Sequence, residues 1–341
     1  MPRSGFASRR TLVFGLILTA LAIGLVVAAS TGSVRIRFDE VVNAVFAPDT
    51  VDVTTMRILL RIRFPRVLAA MGGGAALAVA GQLLQVLFNN PIADPYVLGI
   101  SSGARLFVGL SILGGVTFGF NHASPWLLFT AATIGSLINM SLVLAFASRL
   151  RSVTTLLLVG IMLGYLSSAM VGALIVFSDD TEIADFTKWA LGSFGSLGWE
   201  KTATLLIVGL SFVVLACLLA KPLNVMLMGQ SYAQTMGINV LAVRVAVVLI
   251  AGVLTAVVTA FAGLISFIGL SVPHLARLVQ RTADNRILLP TCALLGALLA
   301  ICCDLIARTV VAPSELSLGT VTSFIGVPLV MYLLLKRRAL P

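Results

Sequence analysis

Apolar residues run in long blocks along this chain, separated by short polar stretches. Blocks near the ~20 residues that a helix needs to cross hydrocarbon lie at 11–30, 67–88, 95–119, 125–148, 153–177, 202–220, 240–271, 287–307 and 319–335. The seventh is longer than one span needs, contains Gly263 and Gly269, and is followed by Pro273. The polar residues between blocks set direction. Arg3, Arg9 and Arg10 precede the first block, and Lys336, Arg337 and Arg338 follow the last. Cationic flanks favour the cytoplasm, so both termini are expected inside and the number of spans must be even. Dividing 240–271 into one full span and one short or broken helix gives ten. Irregular backbone at that depth has to be buried in protein or line a cavity. The pattern predicts an all-α polytopic membrane protein with about ten transmembrane helices and both termini cytoplasmic, forming one domain over residues 1–341. Residues 31–62 are polar and mixed and are expected on the outer membrane surface, against lipid. The apolar run Thr11–Ala29 is longer than the 7–15 residues of a signal-peptide core, so Arg9 and Arg10 read as anchors of the first span.

Composition agrees. The chain is 59% hydrophobic and 11% charged, against roughly 25% charged in soluble domains. A net charge of +10 orients the protein and meets anionic lipid. No basic face with interleaved aromatics is present, so nucleic acid is not an expected partner. Cys217, Cys292, Cys302 and Cys303 all fall in apolar runs and read as buried, inert thiols. Without CxxC or zinc spacing, and with only His122 and His274, no metal site is expected.

The charge map has one exception. Ten spans place thirteen cationic residues inside, including Arg149, Arg151, Lys221, Arg244, Arg277, Arg281 and Arg286. The acidic cluster Asp179, Asp180, Glu182 and Asp185 falls outside, with Lys188 and Lys201. Outside, too, are Arg308 and six arginines between 31 and 66, four of them in "RILLRIRFPRVLAA" (57–70). Positive charge is disfavoured on that side, so those arginines need a cause.

An ordered set of motifs supplies one. "RFPRVLAAMGGGAALAVAGQLLQVLFNNPIADPYVLGISSGA" (63–104), "WALGSFGSLGW" (189–199) and "LMGQSYAQTMGIN" (227–239) are followed by "GLISFIGLSVPHLARLVQ" (263–280), "LLPTCALLGALLAICCDLIAR" (288–308) and "ELSLGTVTSFIGVPLVMYLLLKRR" (315–338). Together they resemble the membrane subunits of bacterial ATP-driven importers for ferric siderophores, haem and vitamin B12. The resemblance implies ten spans in the inner membrane, a homodimeric permease, a periplasmic or lipid-anchored substrate-binding protein, and two ATP-binding cassette subunits that hold ATP and Mg. This chain has no Gly-x-x-x-x-Gly-Lys-Ser/Thr loop, so it is expected to be non-catalytic and free of cofactors. Ferric siderophores come first on family breadth, then haem, then cobalamin.

The resemblance also assigns residues. Arg63, Arg66 and Arg308 would receive glutamates of the binding protein, which suits the planar guanidinium fork and would speed encounter with an acidic partner. For Arg35, Arg37, Arg57 and Arg61, contact with outer-leaflet phosphates or snorkelling at the span end is the expected role. Segment 221–239 would be the ATPase-coupling segment, with Gly229, Gln230, Ser231, Tyr232, Ala233, Met236 and Gly237 forming or bracketing a short helix. His274 and Arg277, three apart, share a helical face and would form a cytoplasmic cap near the ATPase surface. The gate would lie at Asn90 and Ile92 and at Ser152 and Val153. Gly160, Gly164, Ser167 and Ser168 either line the passage or pack helices closely. Two positions depart from the family pattern. "ELSLG" replaces a Pro-containing turn, with Pro313 upstream, and Arg105 stands where a small residue is usual. Arg inside a span is costly unless it faces a pore or partner, so Arg105 either meets an anionic group on the substrate or is satisfied within the protein.

Two rivals are weaker. A secondary transporter would bury ionisable residues near midplane, and the spans hold almost none. Asp304 lies near an outer span end, where an i, i+4 pair with Arg308 is expected. A membrane enzyme lacks any nucleophile–base set.

Overall fold

The computed structural model describes residues 4–32, 34, 36–116, 126–149, 153–312 and 314–338. The described residues are helical, without strands. The helices are α1 (Ser4–Ser30), α2 (Phe38–Phe46), α3 (Val53–Ile58), α4 (Phe64–Leu87), α5 (Ile100–Ile112), α6 (Leu127–Arg149), α7 (Val153–Val176) and α8 (Asp180–Leu191). They continue with α9 (Trp199–Leu218), α10 (Ala220–Met226), α11 (Gln230–Thr235), α12 (Val240–Ala262), α13 (Ile268–Gln280), α14 (Asn285–Thr309) and α15 (Leu318–Arg338). Among the described residues, seven helical runs are long and apolar enough to cross a membrane, by length and composition. Shorter apolar helices are α5 and residues Leu318–Tyr332 of α15.

The block at 240–271 divides, with α12 ending at Ala262 and α13 starting at Ile268. Two other boundaries differ from expectation. The segment 31–62, expected on the outer surface, is not one uniform stretch. It holds α2 and a 3-10 turn at Pro48–Thr50, but its last residues belong to a single helical run, Val53–Leu87. Asp52 starts that run by accepting hydrogen bonds from the Thr54 and Thr55 amides, satisfying donors a helix start leaves open. A π-helical turn, Leu59–Arg63, then joins α3 to α4 just before Pro65. Proline has no amide hydrogen to give to the preceding turn, and the wider turn lets the helix pass through it. The arginines interrupt the apolar pattern here without interrupting the helix. The other difference is at 95–119. Its described part is a 3-10 turn, Pro95–Leu98, followed by α5 with only 13 residues.

α4 is the centre of the bundle. From Pro65 to Leu87 nearly every residue is buried, so it has no solvated stripe and is apolar all round. Its partners are α14, α9, α12 and α13. It touches α14 through Gly74 and Gly296, where a Cβ on either would collide with the other's backbone, as small residues allow at membrane helix contacts. α7 is the least buried of the seven long runs.

Contacts sort the molecule into two ends. At one, Arg9 at the start of α1 donates to the Val279 carbonyl (3.2 Å), near the α13–α14 turn. At the other, the last carbonyls of α1 meet Arg63 and Arg308. Cys292 and Cys303 are buried and Cys217 half-buried, but Cys302 is exposed on α14, which corrects the expectation of four buried thiols.

Candidate functional site

Arg63, Arg66 and Arg308 converge on one small cavity of about 230 Å³, with Glu315. All three are buried, between 5% and 8% exposed. Arg63 donates to the carbonyls of Ala29, Ser30 (2.7 Å) and Val34. It thereby satisfies carbonyls that the end of α1 would leave without partners. Arg66 Nε lies 3.0 and 3.1 Å from the two oxygens of Asp304. Its Nη1 and Nη2 each donate to one oxygen of Glu315, both at 2.9 Å. That is the bidentate fork geometry in which Arg–carboxylate pairs are strongest. Arg308 donates to the Ala28 carbonyl and pairs with Asp304 at 3.5 Å, the expected i, i+4 pair. Arg66 draws on Asp304 more closely than Arg308 does. Glu315 is the exposed member, with 46% of its side chain accessible. Its hydrogen bond with Arg66 holds its carboxyl below the usual glutamate value, against the opposing effect of burial. The pair therefore lasts above that depressed pKa and is lost only as pH falls through it.

The remaining cationic residues of this region differ. Arg57 and Arg61 are exposed, and Arg37 is exposed and pairs with Asp39 at 3.0 Å. Arg35 and Pro313 lie outside the described residues. Arg57 and Arg61 are thus exposed and Arg37 is exposed beside Asp39, while the three expected to dock are held in an internal network. The sequence points to Asp304 only as the partner of Arg308, and to Glu315 only as part of a departing motif. Pairing across 238 and 249 positions leaves no local signal in a sequence.

The opposite end carries α11. Gly229 and Gly237 bracket it with φ of 113° and 81°, backbone that glycine reaches without a Cβ penalty. The helix is six residues long. Ala233 is fully buried and seats it, while Ser231, Gln234 and Thr235 are exposed. Met228, Tyr232 and Met236, four apart, are 68%, 45% and 61% exposed and fall on one side of the segment. Met228 is absent from the expected coupling residues, although the same spacing identifies it. Gln230 accepts from Arg244 Nη2 at 3.3 Å, which ties α11 to the start of α12.

His274 and Arg277, expected as a cytoplasmic cap, both reach into the protein. His274 is buried, with Nδ1 2.9 Å from the Leu270 carbonyl. Arg277 turns inward and donates to Gln82 (3.0 Å) and Gln85 on α4. A guanidinium drawn into the bundle needs such acceptors. Gln82 in turn donates to Asn285 at 2.8 Å. Asn285 donates to Asn224 on α10 (2.9 Å), and Asn224 donates to Asp284 at 2.6 Å. Gln85 donates to the Leu270 carbonyl at 3.2 Å. A continuous polar chain therefore runs from α10, just before α11, through α14 and α4 to α13.

The region between the ends is built around the break at 263–267. Ile265 N donates to the Tyr96 hydroxyl at 2.7 Å, and Ser193 N to the Ala262 carbonyl at 2.8 Å. Leu318 N donates to the Gly192 carbonyl at 3.0 Å. Irregular backbone is thus paired inside protein. Beside it opens a cavity of about 780 Å³, walled by Tyr96, Leu191, Leu264, Thr320, Ser323 and Phe324 among others. Of the gate residues, Asn90 caps its own turn by accepting from Ile92 N at 3.0 Å, and Ile92 is 49% exposed. Val153 is the first residue of α7; Ser152 lies outside the described residues. Gly160 and Gly164 face the bundle, where a Cβ on Gly99 would press on the Gly160 carbonyl and one on Gly164 would meet Ser102 at 3.3 Å. Ser167 is buried and Ser168 exposed. Arg105 is seated over the Phe186 ring of α8, 5.8 Å from its centroid, a cation–π contact within the protein.

Residues 19–336 match the FecCD transport family. The vitamin B12 import system permease protein BtuC of Salmonella paratyphi A is 38% identical over 276 residues, 81% of this chain and 83% of that protein. BtuC of Salmonella typhi aligns with the same figures. Among solved structures, a metal-chelate type ABC transporter in an inward-facing conformation superposes with a TM-score of 0.84 at 29% identity, over 96% of this chain and 99% of the other. PsaBC from Streptococcus pneumoniae, in complex with a Fab, has a similar fold, with a TM-score of 0.55 at 12% identity over 87% of this chain and 95% of the other.

Proposed function

We infer function from one premise: this chain belongs to the FecCD transport family. It is a multi-pass membrane protein and the permease component of an ABC importer of the metal-chelate and vitamin B12 type. Members of this class are non-catalytic, with ATP hydrolysis in a partner subunit. On that base we propose the finer assignment. The chain has ten spans with both termini cytoplasmic, pairs with a second copy of itself in the inner membrane, receives a soluble carrier at the arginine end and seats an ATPase subunit on α11. The observation that carries this reading is the separation of the two ends. Arg66 and Gln85 stand near opposite ends of α4, a continuous helix of 24 residues. At the rise of an α-helix, such a length matches the hydrocarbon thickness of a membrane. A guanidinium cluster and a short exposed helix thus occupy opposite faces of a bilayer-sized bundle.

Identity to the vitamin B12 permeases supports a corrinoid as first cargo, ahead of the ferric siderophores that family breadth favours and of haem. The test is import into proteoliposomes holding the permease, its ATPase subunit and its carrier, with cyanocobalamin and ferrichrome offered separately. Uptake of cyanocobalamin that needs both ATP and carrier is expected. Ferrichrome uptake alone would reverse the cargo assignment, and uptake driven by an ion gradient without ATP would overturn the importer reading itself.

A further inference from the structure

Glu315 stands in an unusual position. It is more exposed than any other member of the arginine network, yet its two oxygens fill the Nη fork of Arg66 at 2.9 Å each. Asp304 takes the remaining Nε. A carboxylate arriving from outside could form the bidentate pair with Arg66 only by taking the place Glu315 holds. The charge sum points the same way. Three guanidinium groups against the carboxylates of Asp304 and Glu315 leave the cluster at +1; without Glu315 it is +2.

We propose that Glu315 is an internal stand-in for the carrier's carboxylate, held in the Arg66 fork until docking displaces it, and that the displacement is felt at the start of α15. The proposal rests on the docking reading above. Its second half follows from where Glu315 sits. The next amide, Leu316 N, donates to the Ala307 carbonyl at 2.8 Å, and Leu318 N donates to Gly192 beside the helix break at 3.0 Å. Ser317 caps α15, with its hydroxyl 2.6 Å from that of Thr320. α15 then forms one wall of the 780 Å³ cavity through Gly319, Thr320, Ser323 and Phe324. Glu315 is therefore the clasp between the arginine cluster and a helix that walls the cavity. Its release exchanges one carboxylate for another on Arg66, so the exchange itself stays close to balanced. What changes is the tether on residues 314–318.

The stand-in also sets specificity. A carrier must present a carboxylate able to outcompete an intramolecular one, whereas a carrier offering only neutral acceptors leaves the clasp shut.

The test uses the complete importer in nanodiscs and the carrier that co-purifies with it. Carrier affinity is measured for wild type, Glu315→Gln and Glu315→Asp, with Arg66→Ala as the reference. Gln keeps the size of Glu315 but removes the charge, so Glu315→Gln is expected to bind the carrier about tenfold more tightly, the scale of one charge-assisted hydrogen bond. Its affinity should also fall more steeply with salt. The shorter Glu315→Asp, with its weaker reach to the fork, should fall between the two. Hydrogen exchange gives a second readout: carrier binding speeds exchange at the Leu316 and Leu318 amides in wild type, and in Glu315→Gln these amides exchange fast before the carrier is added. Unchanged or weaker affinity in Glu315→Gln, or wild-type exchange indifferent to the carrier, overturns the proposal. Failure of the docking reading gives a different result, in which Arg66→Ala binds the carrier as well as wild type.

Discussion

Asp304 is 2% exposed and lies between two guanidinium groups, with Arg66 at 3.0 Å and Arg308 at 3.5 Å. A buried ion pair is weak evidence of net stability, but removing one partner leaves uncompensated charge. Asp304→Asn should therefore destabilise the protein by roughly 3 kcal/mol. The check is the unfolding midpoint of the purified chain in detergent, which should fall clearly; an unchanged midpoint would mean that the guanidiniums find enough acceptors in the α1 carbonyls. This network shows what sequence reading delivers for single residues. It brings forward Arg63, Arg66 and Arg308, and the structure gathers them. It does not reveal that they are buried, because their partners come from elsewhere: Asp304 and Glu315 reach Arg66 across 238 and 249 positions, and the end of α1 meets Arg63 and Arg308. Arg105 behaves alike. Its cost inside a helix is visible from its type, but its contact with the Phe186 ring comes from α8.

At the scale of elements, the short helix α11 is legible because glycines and polar residues break the apolar pattern on both sides of it. Its exposed face is apolar: Met228, Tyr232 and Met236 project while Ala233 is buried. Tyr232→Asp combined with Met236→Asp should leave the fold intact and lower recovery of the ATPase subunit in co-purification at least tenfold. Losing two buried apolar contacts of ~1.5 kcal/mol or more each supports that scale. Full recovery would place the ATPase contact elsewhere. The division of α12 from α13 is also legible, since parity demands it. Its cause is not. Tyr96 and Ser193 pair with the backbone at the break, and neither belongs to that block. The inward turn of Arg277 onto Gln82 and Gln85 is hidden for the same reason. Spacing places His274 and Arg277 on one face but cannot say whether the face looks out.

For the whole molecule, long apolar blocks with cationic flanks are enough to reach an all-α membrane bundle, and ordered motifs are enough to reach the family. Where the helix pattern misleads, at 53–66, the arginines make a continuous helix look like a surface segment. α4 carries the account at this scale, because it links the arginine cluster to the polar chain below α11 and packs against most of the other long helices. Carrier docking at one end and ATPase seating at the other require those two ends to lie on opposite sides of the membrane. Ser314 and Ser231 are both exposed, one beside Glu315 and the other on α11. Single cysteines at these two positions, in a background without Cys217, Cys292, Cys302 and Cys303, can be probed in spheroplasts with a thiol reagent that does not cross membranes. Labelling of the position-314 cysteine in intact spheroplasts, and of the position-231 cysteine only after permeabilisation, is the predicted result; labelling of both from the same side would contradict it.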